Sequence, residues 1–167
     1  ADIIIDETKK DKFIVKEFEL DELIGLIVNK WQQQYNWVKF IIKIEPEEKI
    51  KISYDLLMVI LDNLILNSIQ NNEEASGLSI TIELNYRDGN LNLVYFDNGK
   101  GLDAKYKDKP EKILNVHETT REDGHGLGMW MVSNTIYKLG GEIKINPNYQ
   151  GFYLSASLLI NESEEWK

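Results

Sequence analysis

Three clusters of residues in this 167-residue chain have types and spacings suited to chemistry. The first is Asn63, Asn67, Gln70 and Asn71, which fall three, four, seven and eight positions apart and so share one face of a helix as a polar stripe on an otherwise apolar stretch. Two readings fit it. Buried amides commonly bond to neighbouring main chain, and a carboxamide oxygen can equally ligate a hard cation such as Mg²⁺, which takes oxygen ligands and keeps its waters and phosphate partners. The second cluster is Asp97-Asn98-Gly99-Lys100-Gly101-Leu102. It forms either a plain turn or a place where the glycines let a flat ligand approach while one carboxylate accepts a hydrogen bond from it. The third, Gly124-His125-Gly126-Leu127-Gly128, opens a helix. Glycine-rich backbone at a helix N-terminus presents free N–H groups and the positive end of the dipole, which suits phosphate. No Lys-Ser or Lys-Thr follows Gly128 and no strand leads directly into the cluster, so it is neither a Walker loop nor a dinucleotide-binding turn.

The elements that must carry these clusters follow from periodicity. An alternating segment, Phe13 to Phe18, reads as an entry strand after a charged linker, giving 1–17 as linker and strand, 18–160 as one domain and 161–167 as a frayed acidic tail. Leu20, Leu23, Ile24, Ile27, Val28 and Trp31 mark one helix face. Val38 to Ile44 is a β-branched strand ended by Pro46, followed by a turn and a buried helix from Asp55 to about Asn71. Strands Leu78 to Tyr86 and Leu91 to Phe96 flank Arg87-Asp88-Gly89-Asn90, an Asp-Gly hairpin turn. Residues 97–128 read as a long functional loop with at most one helical turn. A helix from about Leu127 to Leu139 stops at Gly140-Gly141, and strands Glu142 to Ile145 and Phe152 to Ile160 close the domain around a turn at Asn146 to Gly151. This order predicts an α+β two-layer sandwich, with a mixed, mostly antiparallel sheet and its helices on one face.

Composition narrows the possibilities further. Apolar residues make up 43% and charged residues 28%, the balance of a packed globule. The net charge of −9 repels nucleic acid and anionic lipid, and there is no basic patch to offset it. The absence of Cys excludes disulfides, thiol catalysis and thiolate metal sites, and fits a reducing cytoplasm. The longest apolar run, Leu56 to Leu61, is far short of the roughly 20 residues of a membrane span.

Taken together and in order, the clusters resemble the ATP-binding catalytic domain of sensor histidine kinases, within the superfamily that also holds gyrase, Hsp90 and MutL and shares the Bergerat-type ATP-binding fold. Leu61-Asp62-Asn63-Leu64-Ile65-Leu66-Asn67-Ser68 is similar to that family's asparagine box, Asp97 to Leu102 to its first glycine box, and Thr119-Thr120-Arg121 through Gly128 to its lid and second glycine box. The resemblance implies ATP and Mg²⁺ as ligands. It assigns Asn67 to the metal, Asn63 to metal or phosphate one turn away, and Asp97 to the adenine amino group. Gly99 and Gly101 would let the loop close over the purine beside Leu102. Gly124, Gly126 and Gly128 would offer N–H groups to phosphate, with His125 and Leu127 between them, and Arg121 would meet the γ-phosphate. The chain departs from the pattern at Gln70, where the family often has a basic residue, at Asn71, where an aromatic often follows, and at Ile113-Leu114-Asn115-Val116-His117, which lacks the phenylalanine box.

By this resemblance the chain is the cytoplasmic, phosphoryl-donating half of a histidine kinase. Its partners are dimerisation and phosphoacceptor helices of its own parent chain and, downstream, a response regulator, with no nucleic acid and no direct membrane contact by this domain, whether or not the parent protein is membrane-anchored. His117-Glu118 lies in the loop and has no following Pro, so it is not the acceptor motif, and Arg121 stands where a zinc helix would need its second His. Asn63 occupies the place of the gyrase-type general base and cannot take a proton, and Asp62 points about 100° around the helix. Two alternatives remain: an anti-sigma-type serine kinase, and an interaction module that binds nucleotide without transferring phosphate. The segment from Ala104 to Asp123 is expected to be a poorly anchored lid that nucleotide orders.

Overall fold

A computed structural model describes residues 16–45, 49–73, 77–115 and 128–160 of the chain. Its elements in order are β1 (Lys16–Glu19), α1 (Leu20–Gln34), β2 (Lys39–Glu45), β3 (Lys49–Ile52), α2 (Tyr54–Asn71), β4 (Ser79–Arg87) and β5 (Asn90–Asp97). Two 3-10 turns, Ala104–Tyr106 and Pro110–Leu114, then precede α3 (Gly128–Lys138), β6 (Glu142–Ile145) and β7 (Tyr153–Leu159).

The main sheet has five strands in the order β2-β4-β5-β7-β6. Its one parallel pair is β2 with β4, and the β4–β5, β5–β7 and β6–β7 pairs are antiparallel, which is the mixed, mostly antiparallel sheet expected. The expected hairpin is present, with positive φ at Asp88 (52°) and Gly89 (81°), the pair a tight two-residue turn demands. Alternation sends Leu91, Leu93, Tyr95 and Asp97 of β5 to one face, beside Tyr86, Leu84, Ile82 and Ile80 of β4. Onto that face pack the apolar sides of the helices: Leu23, Ile24 and Ile27 of α1, Leu57, Ile60, Leu61, Leu64 and Ile65 of α2, and Val132 and Ile136 of α3. Asp97, as the last inward position of β5, is therefore carried into the core, and that is what places the site. On the opposite face Phe96 stacks on Tyr153 with centroids 5.4 Å apart, and Tyr149 tilts against Tyr153 at 5.1 Å.

Three sequence expectations are corrected. The segment between Pro46 and Asp55 is not only a turn: β3 pairs antiparallel with β1, making a separate two-stranded sheet that propensity did not reveal because each strand has only four residues. The entry strand runs one residue past the expected Phe18, to Glu19, while Phe13 to Val15 lie outside the described residues. The loop after β5 holds two 3-10 turns rather than at most one, and its first part is well anchored, with Tyr106, Pro110 and Leu114 buried. A lid of the expected kind thus cannot begin at Ala104. Residues 116–123, like the 161–167 tail, lie outside the described residues.

The stop of α3 is as expected. Gly140 has φ of 72°, its N–H donates to Tyr137 O at 3.0 Å, and the Gly141 N–H donates to Ile136 O at 3.0 Å, the paired bonds of a left-handed cap. A Cβ at Gly141 would overlap the Ser157 carbonyl oxygen, so the cap also lets α3 pass directly onto β7. Gly141→Ala should therefore destabilise the fold by about 1–3 kcal/mol through overpacking, read as a lowered denaturant midpoint, whereas Gly25→Ala on α1, where nothing lies within 4 Å, should not lower it.

Candidate functional site

The site is built where the C-terminal half of α2 meets the end of β5. Asp97 is 2% exposed, and a carboxylate this far from water requires donors on its oxygens. Oδ1 accepts the backbone N–H of Gly99 at 2.9 Å and of Phe152 at 3.1 Å, and Oδ2 accepts the Ser68 hydroxyl at 2.7 Å. The Phe152 bond ties in the loop between β6 and β7, and Asp97 N–H returns a bond to Phe152 O at 3.0 Å. Gly151 is required beside it, because a Cβ there would overlap the Asp97 carbonyl.

Ser68 is itself held from behind. Its Oγ lies 2.7 Å from the Tyr95 hydroxyl, which also donates to Leu64 O at 2.9 Å. Ser68 has one proton and directs it to Asp97, so the Tyr95 proton is shared between Leu64 O and Ser68 Oγ. Burial pushes the Tyr95 pKa well above 10.0, the Ser68 bond acts in the opposite direction, and the charge of Asp97 adds to the rise. Tyr95 stays neutral and keeps donating.

One turn further along, Asn72 grips the glycine loop. It is buried, its Nδ2 donates to Ser68 O at 2.8 Å, and its Oδ1 accepts the Lys100 N–H at 2.9 Å. Gly99 passes so close that a Cβ would overlap the Asn72 carboxamide. Gly101 has φ of 77°, and a Cβ there would come within 2.9 Å of Gln150 O. Both glycines are thus required by close approach of the chain's own Asn72 and Gln150, whereas the sequence suggested room for a flat ligand.

Beside this anchor opens a cleft of about 290 Å³, lined by Asn67 and Asn71 of α2, Lys100, Gly101, Leu102 and Asp103 of the glycine loop, Tyr106 and Ile113 of the 3-10 turns, and Phe152. That volume is near the lower end of small-ligand pockets, about 300–1,000 Å³. Of the residues singled out in the sequence, Asn67, Asn71, Gly101 and Leu102 meet on its walls, and Asp97 and Gly99 are bonded to that wall through Phe152 and to each other. Gln70 is not among the lining residues. Asn63 also stands apart from them, facing the start of α3: a Cβ at Gly128 would lie 3.3 Å from its Oδ1, while its Nδ2 donates to Val59 O at 2.7 Å. With the amide nitrogen so engaged, Asn63 presents an oxygen. Arg121, Gly124, His125, Gly126 and Leu127 lie outside the described residues.

Asp62 is excluded as a base at this site. Its Oδ1 accepts Trp31 Nε1–H at 2.6 Å and its Oδ2 pairs with Lys30 Nζ at 2.8 Å, both on α1. Among the described residues no group of three or more His, Asp or Glu side chains could cage a metal. The carboxamide oxygens of Asn67 and Asn63 could hold a metal that completes its shell with water and phosphate, as Mg²⁺ does. Sequence reasoning missed Ser68, Tyr95, Asn72 and Phe152. Ser68 carried a signal, since it follows Asn67 directly and lies one turn from Asn71 and Asn72.

The comparisons with known proteins agree with this geometry. The family model for histidine kinase-, DNA gyrase B- and HSP90-like ATPases matches residues 52–162. The sensor histidine kinase ZraS of Salmonella typhimurium is 35% identical over 104 residues, covering 60% of this chain and 21% of that protein. The C4-dicarboxylate transport sensor protein DctB of Rhizobium meliloti is 29% identical over 102 residues, covering 59% of this chain and 16% of its own length. The chain therefore spans about a fifth of the length of such relatives. Among solved structures, the nucleotide-free catalytic domain of histidine kinase ThkA superposes with a TM-score of 0.73 at 21% identity, over 87% of this chain and 95% of that one, which shows the fold.

Removing either hydroxyl of the anchor should cost stability. Ser68→Ala and Tyr95→Phe should each destabilise by about 1–3 kcal/mol, and the double variant by less than their sum, because one network is lost only once; chemical denaturation of the four proteins measures this. The sign of the pH effect follows from the raised Tyr95 pKa. Below 10.0 folded and unfolded states both hold the proton, and above it only the folded state does, so stability should fall as pH rises past 10.0. Tyr95→Phe should lose part of that alkaline slope.

Proposed function

Because this chain belongs to the family of histidine kinase-, DNA gyrase B- and HSP90-like ATPases, we propose that it is the ATP-binding catalytic domain of a sensor histidine kinase and delivers the γ-phosphoryl group to a histidine on a separate helical segment. The observation that carries this reading is the buried Asp97 carboxylate, fixed by donors on both oxygens and joined through Phe152 to a cleft that Asn67 and Asn71 also line. A carboxylate so held is an acceptor and nothing else, which selects an exocyclic amino group such as that of adenine.

In this proposal Asn67 and Asn63 hold Mg²⁺ through their carboxamide oxygens, and the ion when bound neutralises phosphate charge and orients the triphosphate for in-line transfer. The protein's own part is alignment: Asp97 fixes the base, Gly99 and Gly101 let the loop lie close to it, and Leu102 and Phe152 wall it off from water. Gly124, His125, Gly126, Leu127 and Gly128 form the phosphate cradle at the start of α3, and Arg121 meets the γ-phosphate. With Asn at 63 and Asp62 engaged on α1, neither of these two residues can serve as the base that activates water, which favours a stable donor awaiting an imported nucleophile over an ATPase. The acceptor helices, the response regulator and the cytoplasmic setting belong to the same proposal. No helix among the described residues is long and apolar enough to cross a membrane.

The test is phosphorylation of an added histidine-bearing helical segment by the chain with ATP and Mg²⁺. Transfer should require the metal, and Asn67→Ala should slow it by about 100-fold or more while leaving the thermal midpoint within a few degrees, since the apolar face of α2 is untouched. Transfer by Asn67→Ala at the parent rate would overturn the metal assignment. Tight ATP binding without any transfer would point instead to a nucleotide-binding interaction module.

A further inference from the structure

Among the described residues the cleft has one cation on its wall. Among the nine lining residues Lys100 is the only basic one and Asp103 the only acidic one. Position 70, from which a basic side chain would reach phosphate by family resemblance, is Gln, and it is not part of the lining. In a chain of net charge −9, a polyanion entering this cleft meets an unfavourable long-range field and needs a local positive group.

The placement of Lys100 answers that need. Its backbone is fixed where few loop residues are: its N–H is held at 2.9 Å by the buried Asn72 Oδ1, the preceding Gly99 is wedged against the same carboxamide, and the following Gly101 turns with φ of 77°. Its side chain is exposed, and among the described residues no carboxylate forms an ion pair with it, in contrast to Lys30 with Asp62 and Lys43 with Glu83. The Asp103 carboxylate in the same wall is turned to cap Lys105 N–H at 3.2 Å. The ammonium group therefore leaves a fixed backbone, on the same cleft as Asn67, with no ion-pair partner among the described residues.

We propose that Lys100 is a phosphate-binding residue of this site and supplies from the first glycine loop the positive charge that Gln70 does not supply from α2. This rests on the nucleotide-binding reading above. A flexible ammonium head is suited to the task, because it can follow the phosphates as a point charge without bidentate geometry.

The experiment is calorimetric titration of ATP with Mg²⁺, ADP with Mg²⁺, and adenosine into the parent chain, Lys100→Gln, Lys100→Arg and Lys105→Gln. Lys105 is a control of equal charge that stands over the Tyr106 ring at 4.9 Å and does not line the cleft. Lys100→Gln should weaken ATP by about three- to tenfold, ADP by no more than ATP, and adenosine not at all, and the deficit should shrink at high salt. Lys100→Arg should restore the affinity, and Lys105→Gln should match the parent. Equal weakening of adenosine would place Lys100 at the base or ribose, equal weakening by Lys105→Gln would reduce the effect to net charge, and unchanged ATP affinity would leave Lys100 a solvated loop residue; each overturns the proposal. A parent chain that binds none of the three ligands overturns the nucleotide reading itself, and is thereby distinguished from failure of Lys100 alone.

Discussion

A carboxylate held in the core is the constraint around which the rest of this structure is arranged. Asp97 reaches the interior because it is the last inward residue of β5, and an unpaired charge there would cost several kcal/mol. The chain meets that cost from three directions in sequence: Ser68 from α2, Gly99 from the following loop and Phe152 from the β6–β7 turn. Each donor belongs to a different element, so satisfying one side chain brings together three of the segments that wall the cleft. The function proposed for Asp97 and its structural role have one origin, since donors that fix the carboxylate also leave it an acceptor.

The C-terminal turn of α2 acts as a two-point clamp on the glycine loop. Ser68 holds Asp97 at the start of the loop, and Asn72 holds Lys100 three residues later, with the Asn72 amide also closing on the Ser68 carbonyl. Tyr95, buried beneath, fixes the direction of the Ser68 proton. Because the clamp and Asn67 lie on one helix, the loop and the amide assigned to the metal are held at a constant separation. The glycines follow from this: Gly99 has no room for a side chain against Asn72, and Gly151 none against the Asp97 carbonyl.

How much of this could be read in the sequence depends on the range of the interaction that decides it. The period of α1 and α2, the Asp-Gly hairpin and the Gly140-Gly141 cap are set by neighbours, and they were legible. So was the pairing of Asn67 with Asn71, whose spacing put them on one helix face, and so was Asp97, marked by its place at a strand end before a pair of glycines; that Gly101 and Leu102 share a wall with the two amides was not set by spacing. The partners of Asp97 were not, because Ser68 and Phe152 stand 29 and 55 residues away and nothing local distinguishes a serine that donates into a core from one that caps a helix. The β1–β3 pair escaped notice because four residues give too little alternation to set against a turn. The first part of the loop after β5 looked unanchored among its lysines, yet Tyr106, Pro110 and Leu114 are enough to bury it. Gln70, placed in the polar stripe by spacing, is kept off the cleft wall that its helical neighbours Asn67 and Asn71 form.

The most direct measurement of the central claim is the binding of two ligands to Asp97→Asn: ATP with Mg²⁺, and inorganic tripolyphosphate with Mg²⁺. An asparagine can keep both backbone bonds through its oxygen and turn its amino group to Ser68 Oγ, so the fold should survive with a loss of about 1–2 kcal/mol. The position that met the base, however, would lose its charge and its acceptor. If Asp97 is the base-selecting acceptor, ATP should weaken by roughly ten- to a hundredfold, the worth of a charge-assisted hydrogen bond, while tripolyphosphate binding stays unchanged. Equal losses for both ligands, or none for either, would contradict the account and leave the buried carboxylate as structural glue.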